Sequence, residues 1–496
     1  MNTIRILSRN SSLAKIQAHL VADEIKKKFP DMIVTHSYRD TKGDIDLSTP
    51  LSKMPEQGVF TSDLRDALLN NETDMVVHSW KDLPIEMPKG TDIVSTLARS
   101  DSRDILFFKK DSIKKKSIKI YSSSPRRERN LSMSLPDLLP WKISTTEFHP
   151  IRGNIQTRFS KFLNDTLDGV VIAKAAIDRL ARDQDFVELY KKNSDSFTWM
   201  ILPNSINPCA PGQGALAIEV AENNDFANSI AASINDESTF DAVFREREIL
   251  SQYGGGCHQK IGVSYISHKL GLVVSKRGED ENGNHFESWD FIDPKDISFS
   301  SNTTDEIYPE NLKNYKIFSR KQLNENVDDI NNLQNKCIYV SRISSIPDKS
   351  KIQSNNVIWT SGLRTWKNLS ERGIWVNGTS DGLGEDFDKD INSLTNNPWV
   401  KLTHSQSPES SIKNKIETYQ LESIDFEIDI EKKKYFYWMS SSAFKASIDK
   451  YPKIIEKYHF CGPGNTYNEI SKILGNDKNL FVELSYDSWK KKLLKA

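Results

Sequence analysis

The residues of this sequence that could do chemistry gather where a strand-like segment gives way to a helix-like one. Ser122-Ser123-Ser124-Pro125-Arg126-Arg127 follows an apolar segment and opens a helix. Hydroxyls and unbonded amides at a helix start, with two forked guanidiniums behind them, make a site for an anion. Arg152-Gly153-Asn154, with Thr157 and Arg158, repeats the arrangement behind a glycine turn, and Arg9, Ser11 and Ser12 repeat it near the start. Between Lys109 and Arg129 there are nine lysines or arginines and two acids. Any one junction alone reads first as a solvated helix cap with surface arginines. Three with the same chemistry favour a ligand that carries several negative charges.

Three further clusters stand out. His78-Ser79-Trp80-Lys81-Asp82 closes an apolar strand, the end at which ligands of open α/β sheets bind. A carboxylate beside a lysine can stay ionised and stabilise a cation, although a plain loop salt bridge has the same pattern. Ala210-Pro211-Gly212-Gln213-Gly214-Ala215 suits a tight connection that another backbone approaches closely; alone it reads as a turn. Gly254-Gly255-Gly256-Cys257-His258-Gln259 places a cysteine on a glycine loop, where a thiolate can be presented for covalent chemistry. Most cysteines are instead buried and inert. No second cysteine or histidine stands at ligand spacing from Cys257, so no metal site is expected.

The elements that must position these clusters alternate. Thr3–Ser8 is strand-like, and residues 12–29 carry Leu13, Ile16, Leu20, Val21 and Ile25 at helical spacing. Residues 33–38, 74–78, 105–108, 118–122 and 168–173 read as strands, with helices over 60–69, 123–132 and 175–182. Strands alternating with helices imply an α/β fold with largely parallel sheets. The run from Arg277 to Leu312, rich in Asp, Asn, Ser and Pro, reads as turns and linker, with a domain boundary near residue 305. Strands recur beyond it at 336–340, 356–360 and 434–439.

The chain has 496 residues, a prior of about three domains. Sixty-seven basic against 68 acidic residues give a net charge of −1, which argues against a nucleic-acid partner. Four cysteines exclude a disulfide scaffold and suggest a reducing compartment. No signal peptide and no apolar run of membrane-spanning length is seen, so a cytoplasmic protein without a membrane partner is expected, with a monomer as the working assumption.

Taken together and in order, the clusters resemble the porphobilinogen deaminase (hydroxymethylbilane synthase) family over roughly residues 3–275. The resemblance rests on Ser8-Arg9-Asn10-Ser11, Thr41-Lys42-Gly43-Asp44, Lys53 with Gly58 and Phe60, and the His78–Asp82 cluster. It continues through Ser123-Ser124-Pro125-Arg126-Arg127, Arg152-Gly153-Asn154, Pro211-Gly212-Gln213-Gly214 and Gly255-Gly256-Cys257. It implies two periplasmic-binding-protein-like domains, residues 1–95 with a return segment 200–218 and residues 96–199, and a small α/β cofactor domain, residues 219–300. It further implies a dipyrromethane cofactor bound through a thioether to Cys257, the position that matches the family's cysteine.

The family joins four porphobilinogen units onto this primer with loss of ammonia. Each pyrrole carries an acetate and a propionate, so the basic junctions match a growing linear tetrapyrrole polycarboxylate. By resemblance Asp82 is the catalytic carboxylate, stabilising the cationic azafulvene left by ammonia loss. Lys81, Asp82, Ser123, Ser124, Arg126 and Arg127 hold the cofactor. Arg9, Ser11, Lys53, Phe60, Arg126, Arg152, Gly153, Asn154, Arg158 and Gln213 hold substrate. The sequence departs from the family pattern at Gln57, Trp80, Tyr121 and Pro125, and none of these removes a charge the chemistry requires.

Residues 305–496 weakly resemble uroporphyrinogen-III synthase, a two-lobed α/β fold. The matching stretches are Trp359–Gly362, Gly373–Gly384, Trp438–Ala443 and Cys461–Thr466. Candidate second-site residues are Thr360, Ser361, Ser440, Ser441, Gly462 and Thr466. A non-catalytic accessory domain is the alternative for this region, and a polyanion-binding module without catalysis is the alternative for the first half.

Overall fold

The computed structural model describes residues 3–45, 61–253, 260–280, 282–295, 297–387, 389–408, 410–475 and 477–494. It is an α/β protein in two compact units. The first comprises Met1–Pro136, Lys142–Ile266 and Ser275–Ser288; the second comprises Asp137–Trp141, Ser267–Val274 and Trp289–Ala496. No helix among the described residues is long and apolar enough to cross a membrane.

The first unit contains two five-stranded sheets of the same design. One runs Ile33–Arg39, Thr3–Arg9, Met75–Ser79, Leu216–Ala221, Thr91–Ser95. Its first three strands are parallel, and Leu216–Ala221 runs antiparallel to both of its neighbours. The other runs Thr145–His149, Ser117–Tyr121, Gly169–Ala173, Asp104–Lys109, Phe197–Ile201. It too has three parallel strands followed by an antiparallel fourth, Asp104–Lys109. In each sheet the antiparallel strand adjoins a segment by which the chain crosses between the sheets. Residues 96–103 lead into Asp104–Lys109, and residues 202–215 lead back into Leu216–Ala221.

Local sequence explains the helices that flank the ligand-facing ends. Ser11 accepts from Ala14 N–H and caps helix Ser12–Lys28, whose last turn carries Lys26, Lys27 and Lys28, the charge that suits a helix C-terminus. This helix buries Ala18, Val21, Ala22 and Ile25 against Ile4, Ile6, Met75 and Ile218. Each fully buried aliphatic side chain contributes about 1.5–3 kcal/mol. Asn154 caps helix Ile155–Asn164 in the same way, and Pro125 takes the first position of helix Pro125–Leu138, where its missing N–H costs nothing.

The polar run after Arg277 is not a linker throughout. It forms strands Gly271–Glu279 and His285–Ile292, neighbours in a three-stranded sheet with Gly262–His268. The turn between them is short: Asp280 Oδ1 accepts from the amides of Asn282 and Asn284 at 2.9 and 2.8 Å, and Gly283 takes φ +79°. The density of turn-forming residues misleads because Asp280, Asn282, Gly283 and Asn284 close a tight hairpin, and the same residue types serve a linker and a turn.

In the second unit a four-stranded parallel sheet runs Ile307–Tyr308, Tyr435–Trp438, Tyr458–Cys461, Leu480–Val482. A six-stranded sheet runs Phe318–Gln322, Lys415–Ser423, Trp399–His404, Cys337–Val340, Val357–Thr360, Gly378–Thr379, antiparallel only at its first pair.

Candidate active site

A cleft of about 540 Å³ opens in the first unit at the ends of these strands. Six cationic side chains line it: Arg9, Lys81, Arg127, Arg152, Arg158 and Arg179. Two acids, Asp40 and Asp82, line it with them, and so do Ser11, Gly153, Asn154 and Gln213. The three basic junctions of the sequence therefore converge on one space. Ser123, Ser124 and Arg126 do not line it. Ser123 Oγ instead bridges Ile151, donating to its carbonyl at 2.9 Å and accepting from its amide at 2.8 Å. Lys53, Phe60 and Cys257 lie outside the described residues.

Behind the cleft sits Asp104, fully buried at the head of its strand. Arg127 Nη2 donates to its Oδ1 at 2.6 Å and Arg126 Nη2 to its Oδ2 at 2.9 Å. Burial alone would raise this carboxyl, but the two guanidiniums more than offset that and hold it well below the usual carboxylate range. Arg126 is thereby committed to the fold, donating also to Pro208 O at 2.8 Å, while Arg127 reaches both Asp104 and the cleft. Gln213 Nε2 donates to Asp104 Oδ1 at 2.9 Å and to Ser102 O at 2.7 Å; its Oε1 accepts from Lys81 Nζ at 3.1 Å. One amide thus ties the lysine of the first sheet to the carboxylate of the second.

The connection carrying Gln213 depends on its glycines. Gly214 has φ +89°, and a Cβ there would lie 2.4 Å from Ser100 O; Gly212 has φ +79°. Glu246 locks both crossing segments, accepting from Arg99 Nη1 and Nη2 at 2.7 and 2.8 Å and from Gly212 N at 2.8 Å. A third buried carboxylate, Glu219, accepts from Arg65 Nε at 2.6 Å and Thr91 Oγ1 at 2.6 Å, and lies 2.8 Å from His78 Nε2.

Positive charge in the cleft exceeds what its acids neutralise. Burial, then Arg127, pushes Lys81 down to about 8, against the pull of Asp82 and Asp104. Burial and Arg127 likewise push Arg158 down to about 10, with Arg152 and Arg9 adding to the effect and Asp82 opposing it. Asp82 itself is exposed. The Nε atoms of Arg127 and Arg179 are buried without a hydrogen-bond partner. A ligand with several carboxylates supplies both the missing acceptors and the missing charge. Asp104, Glu219 and Glu246 were not anticipated from sequence; the usable signal was an acid opening the fully apolar stretch Ile105–Phe108.

Of the residues picked out in the second unit, Gly462 and the turn after Ser361 both approach Gly382, while Ser440, Ser441 and Thr466 stand at helix starts. Ser361 Oγ donates to Ser341 O at 2.7 Å, and Thr360, at the end of its strand, donates to Gly362 O at 3.3 Å. A Cβ on Gly362 would lie 3.6 Å from Gly382 N, and one on Gly462 3.9 Å from Gly382 O. Ser440 caps helix Ser441–Lys450, accepting from Ala443 N at 3.3 Å. Thr466 lies in the first turn of helix Asn465–Leu474.

Fold and cleft define the class: two five-stranded α/β sheets, each joined by a crossing segment from the other, with a cleft in which six cations outnumber two acids. Comparison with known proteins makes this specific. The family model for porphobilinogen deaminase, dipyrromethane cofactor binding domain, matches residues 4–229. The porphobilinogen deaminase of Caldicellulosiruptor saccharolyticus is 39% identical over 268 residues, which are 53% of this chain and 84% of that protein. That of Natranaerobius thermophilus is 35% identical over 286 residues, 56% of this chain and 86% of that protein. That of Chlorobaculum parvum is 36% identical over 276 residues, 55% of this chain and 82% of that protein. The chain belongs to the porphobilinogen deaminase family. Its dipyrromethane-binding domain fits the group in charge: a tetracarboxylate meets six cations, two of which hold unpartnered buried N–H groups.

Proposed function

We propose that this chain condenses four porphobilinogen units head to tail, with loss of ammonia, into hydroxymethylbilane, and that its C-terminal region closes this product to uroporphyrinogen III. The observation that carries the first activity is the cleft in which three basic junctions meet and Asp82, an exposed carboxylate, follows Lys81. The bound dipyrromethane supplies the pyrrole carbon that is extended. Arg9, Arg127, Arg152 and Arg158 hold acetate and propionate groups. Asp82 accepts hydrogen bonds from the reacting pyrrole nitrogens and stabilises the positive charge left on the substrate when ammonia departs. Gln213 accepts from Lys81 Nζ and fixes where that lysine's charge lies in the cleft.

Cys257 carries the cofactor in this reading. Supporting it, Cys209, Cys337 and Cys461 are all buried, and burial pushes the thiols of Cys209 and Cys337 up to about 11 and about 12, which suits none of them to covalent attachment. The architecture is then two periplasmic-binding-protein-like domains, residues 1–95 with 200–218 and residues 96–199. A cofactor domain follows over 219–300 and a two-lobed synthase-like region over 305–496, the whole acting in the cytoplasm. The two sheets of the second unit, with glycine and hydroxyl loops at their strand ends, support the cyclising role.

One experiment separates the parts. Purified protein is treated with Ehrlich reagent, then fed porphobilinogen, and the porphyrins are oxidised and separated by isomer. A pink adduct that disappears in Cys257→Ser supports the cofactor assignment, and unchanged mass without an adduct overturns it. Isomer III supports cyclisation; isomer I alone restricts the protein to the deaminase reaction.

A further inference from the structure

The second unit holds two arginines without a carboxylate partner among the described residues, with a neutral histidine between their strands. Arg342 follows strand Cys337–Val340, His404 ends the parallel neighbour Trp399–His404, and Arg320 lies on strand Phe318–Gln322. Among the described residues, no carboxylate forms an ion pair with Arg320 or Arg342. Arg342 Nη2 donates to Met439 O at 2.9 Å, the carbonyl just before Ser440, which caps helix Ser441–Lys450. His404 Nδ1 is buried and has no hydrogen-bond partner.

The other cations nearby are accounted for. Lys401 pairs with buried Glu385, and Lys415 Nζ donates to Pro408 O at 2.9 Å. The field at His404 is accordingly positive: burial, then Arg342, Lys401, Arg320 and Lys415, pushes its imidazole down to about 4. In the first unit buried guanidiniums meet buried carboxylates; here like charges gather beside a helix start whose first amides have no intrahelical partner. Such repulsion is relieved when an anion enters.

We infer that Arg342, Arg320 and the first turn of helix Ser441–Lys450 form a carboxylate-binding site in the second unit, which takes an acetate or propionate group of the linear tetrapyrrole. The site rests on the reading that this region cyclises hydroxymethylbilane. Its task is binding and orientation, and no bond forms or breaks on its side chains. The planar guanidinium of Arg342 is clamped on one edge by Met439 and offers the other edge to a carboxylate in two-point geometry. Arg320 adds charge from the rim.

The test uses the full chain and four proteins: wild type, Arg342→Gln, Arg342→Lys and Arg320→Gln. Porphobilinogen consumption and the ratio of isomer III to isomer I are measured together. Losing one charge-assisted contact lowers the III:I ratio about tenfold or more in Arg342→Gln, with a smaller drop in Arg320→Gln and partial recovery in Arg342→Lys. Porphobilinogen consumption stays at the wild-type rate. Arg320 is exposed, so its variant keeps the test decisive if Arg342→Gln fails to fold. Wild-type isomer ratios in every variant overturn the site and leave the cyclisation reading standing. Isomer I alone from wild type overturns the cyclisation reading and the site with it. Parallel loss of both activities assigns Arg342 a structural role and also overturns the site.

Discussion

The two units treat arginine differently. In the first, buried carboxylates hold the guanidiniums that pack the fold, Asp104 holding Arg126 and Arg127, Glu219 holding Arg65 and Glu246 holding Arg99, and of these Arg127 also lines the cleft. In the second, Arg342 rests on a backbone carbonyl and Arg320 is exposed. A carboxylate behind an arginine fixes the direction of its fork at the cost of part of its charge. Without one, the full charge remains and the direction is left to the backbone. Arg127 combines the two, its fork fixed by Asp104 and its side chain lining the cleft.

The comparison can be broken most sharply at its catalytic centre. If the cations of the first unit only bind and Asp82 alone manages charge and protons, Asp82→Asn lowers kcat about 10²–10⁴-fold while KM changes little. Steady-state kinetics with porphobilinogen checks this, and near-normal kcat removes Asp82 from the chemistry. Asp104→Asn tests the backing carboxylate. It leaves two buried guanidiniums unmatched and costs about 3–5 kcal/mol, read as a drop in the urea midpoint. Because the Asp104 carboxyl lies below its ordinary value, its contribution is complete above about pH 4 and is lost only as pH falls further. The deficit is therefore the same at pH 5 and pH 7, and a deficit that vanishes at pH 5 contradicts the pairing.

Gly214→Ala probes the connection that carries Gln213. A positive φ and a Cβ 2.4 Å from Ser100 O cost about 2–3 kcal/mol, seen as a lower urea midpoint at constant slope. An unchanged midpoint means the crossing segments yield freely. The smallest expected effect is a pH profile. Lys81 is protonated below about 8 and neutral above it, so the cleft loses one positive charge and KM rises as pH passes 8. Lys81→Arg flattens that limb; an identical profile in the variant assigns the titration elsewhere.

Much of the cleft was legible from local pattern. Ser11, Arg152, Gly153, Asn154 and Arg158 declare themselves because a helix cap and a glycine turn act within four residues. The Gly212-Gln213-Gly214 connection was readable as a close backbone approach. The Arg277–Leu312 run misled because turn residues look alike in a linker and in a hairpin. Arg126 and Arg127 are adjacent and chemically identical in sequence, yet only Arg127 lines the cleft.

The sequence by itself determined which side chains carry charge, which junctions bear caps, and that the chain alternates strand and helix, since propensity, capping and apolar period are local properties. Tertiary structure alone decided which charges remain available to a ligand. Asp104 and Arg127 are 23 residues apart, and Arg99 and Glu246 are 147 apart. Only the exchange of a crossing strand between the two sheets brings such partners within hydrogen-bonding distance. Once buried there, a charge is held by whatever lies beside it in space, and spacing along the chain carries no trace of that neighbour.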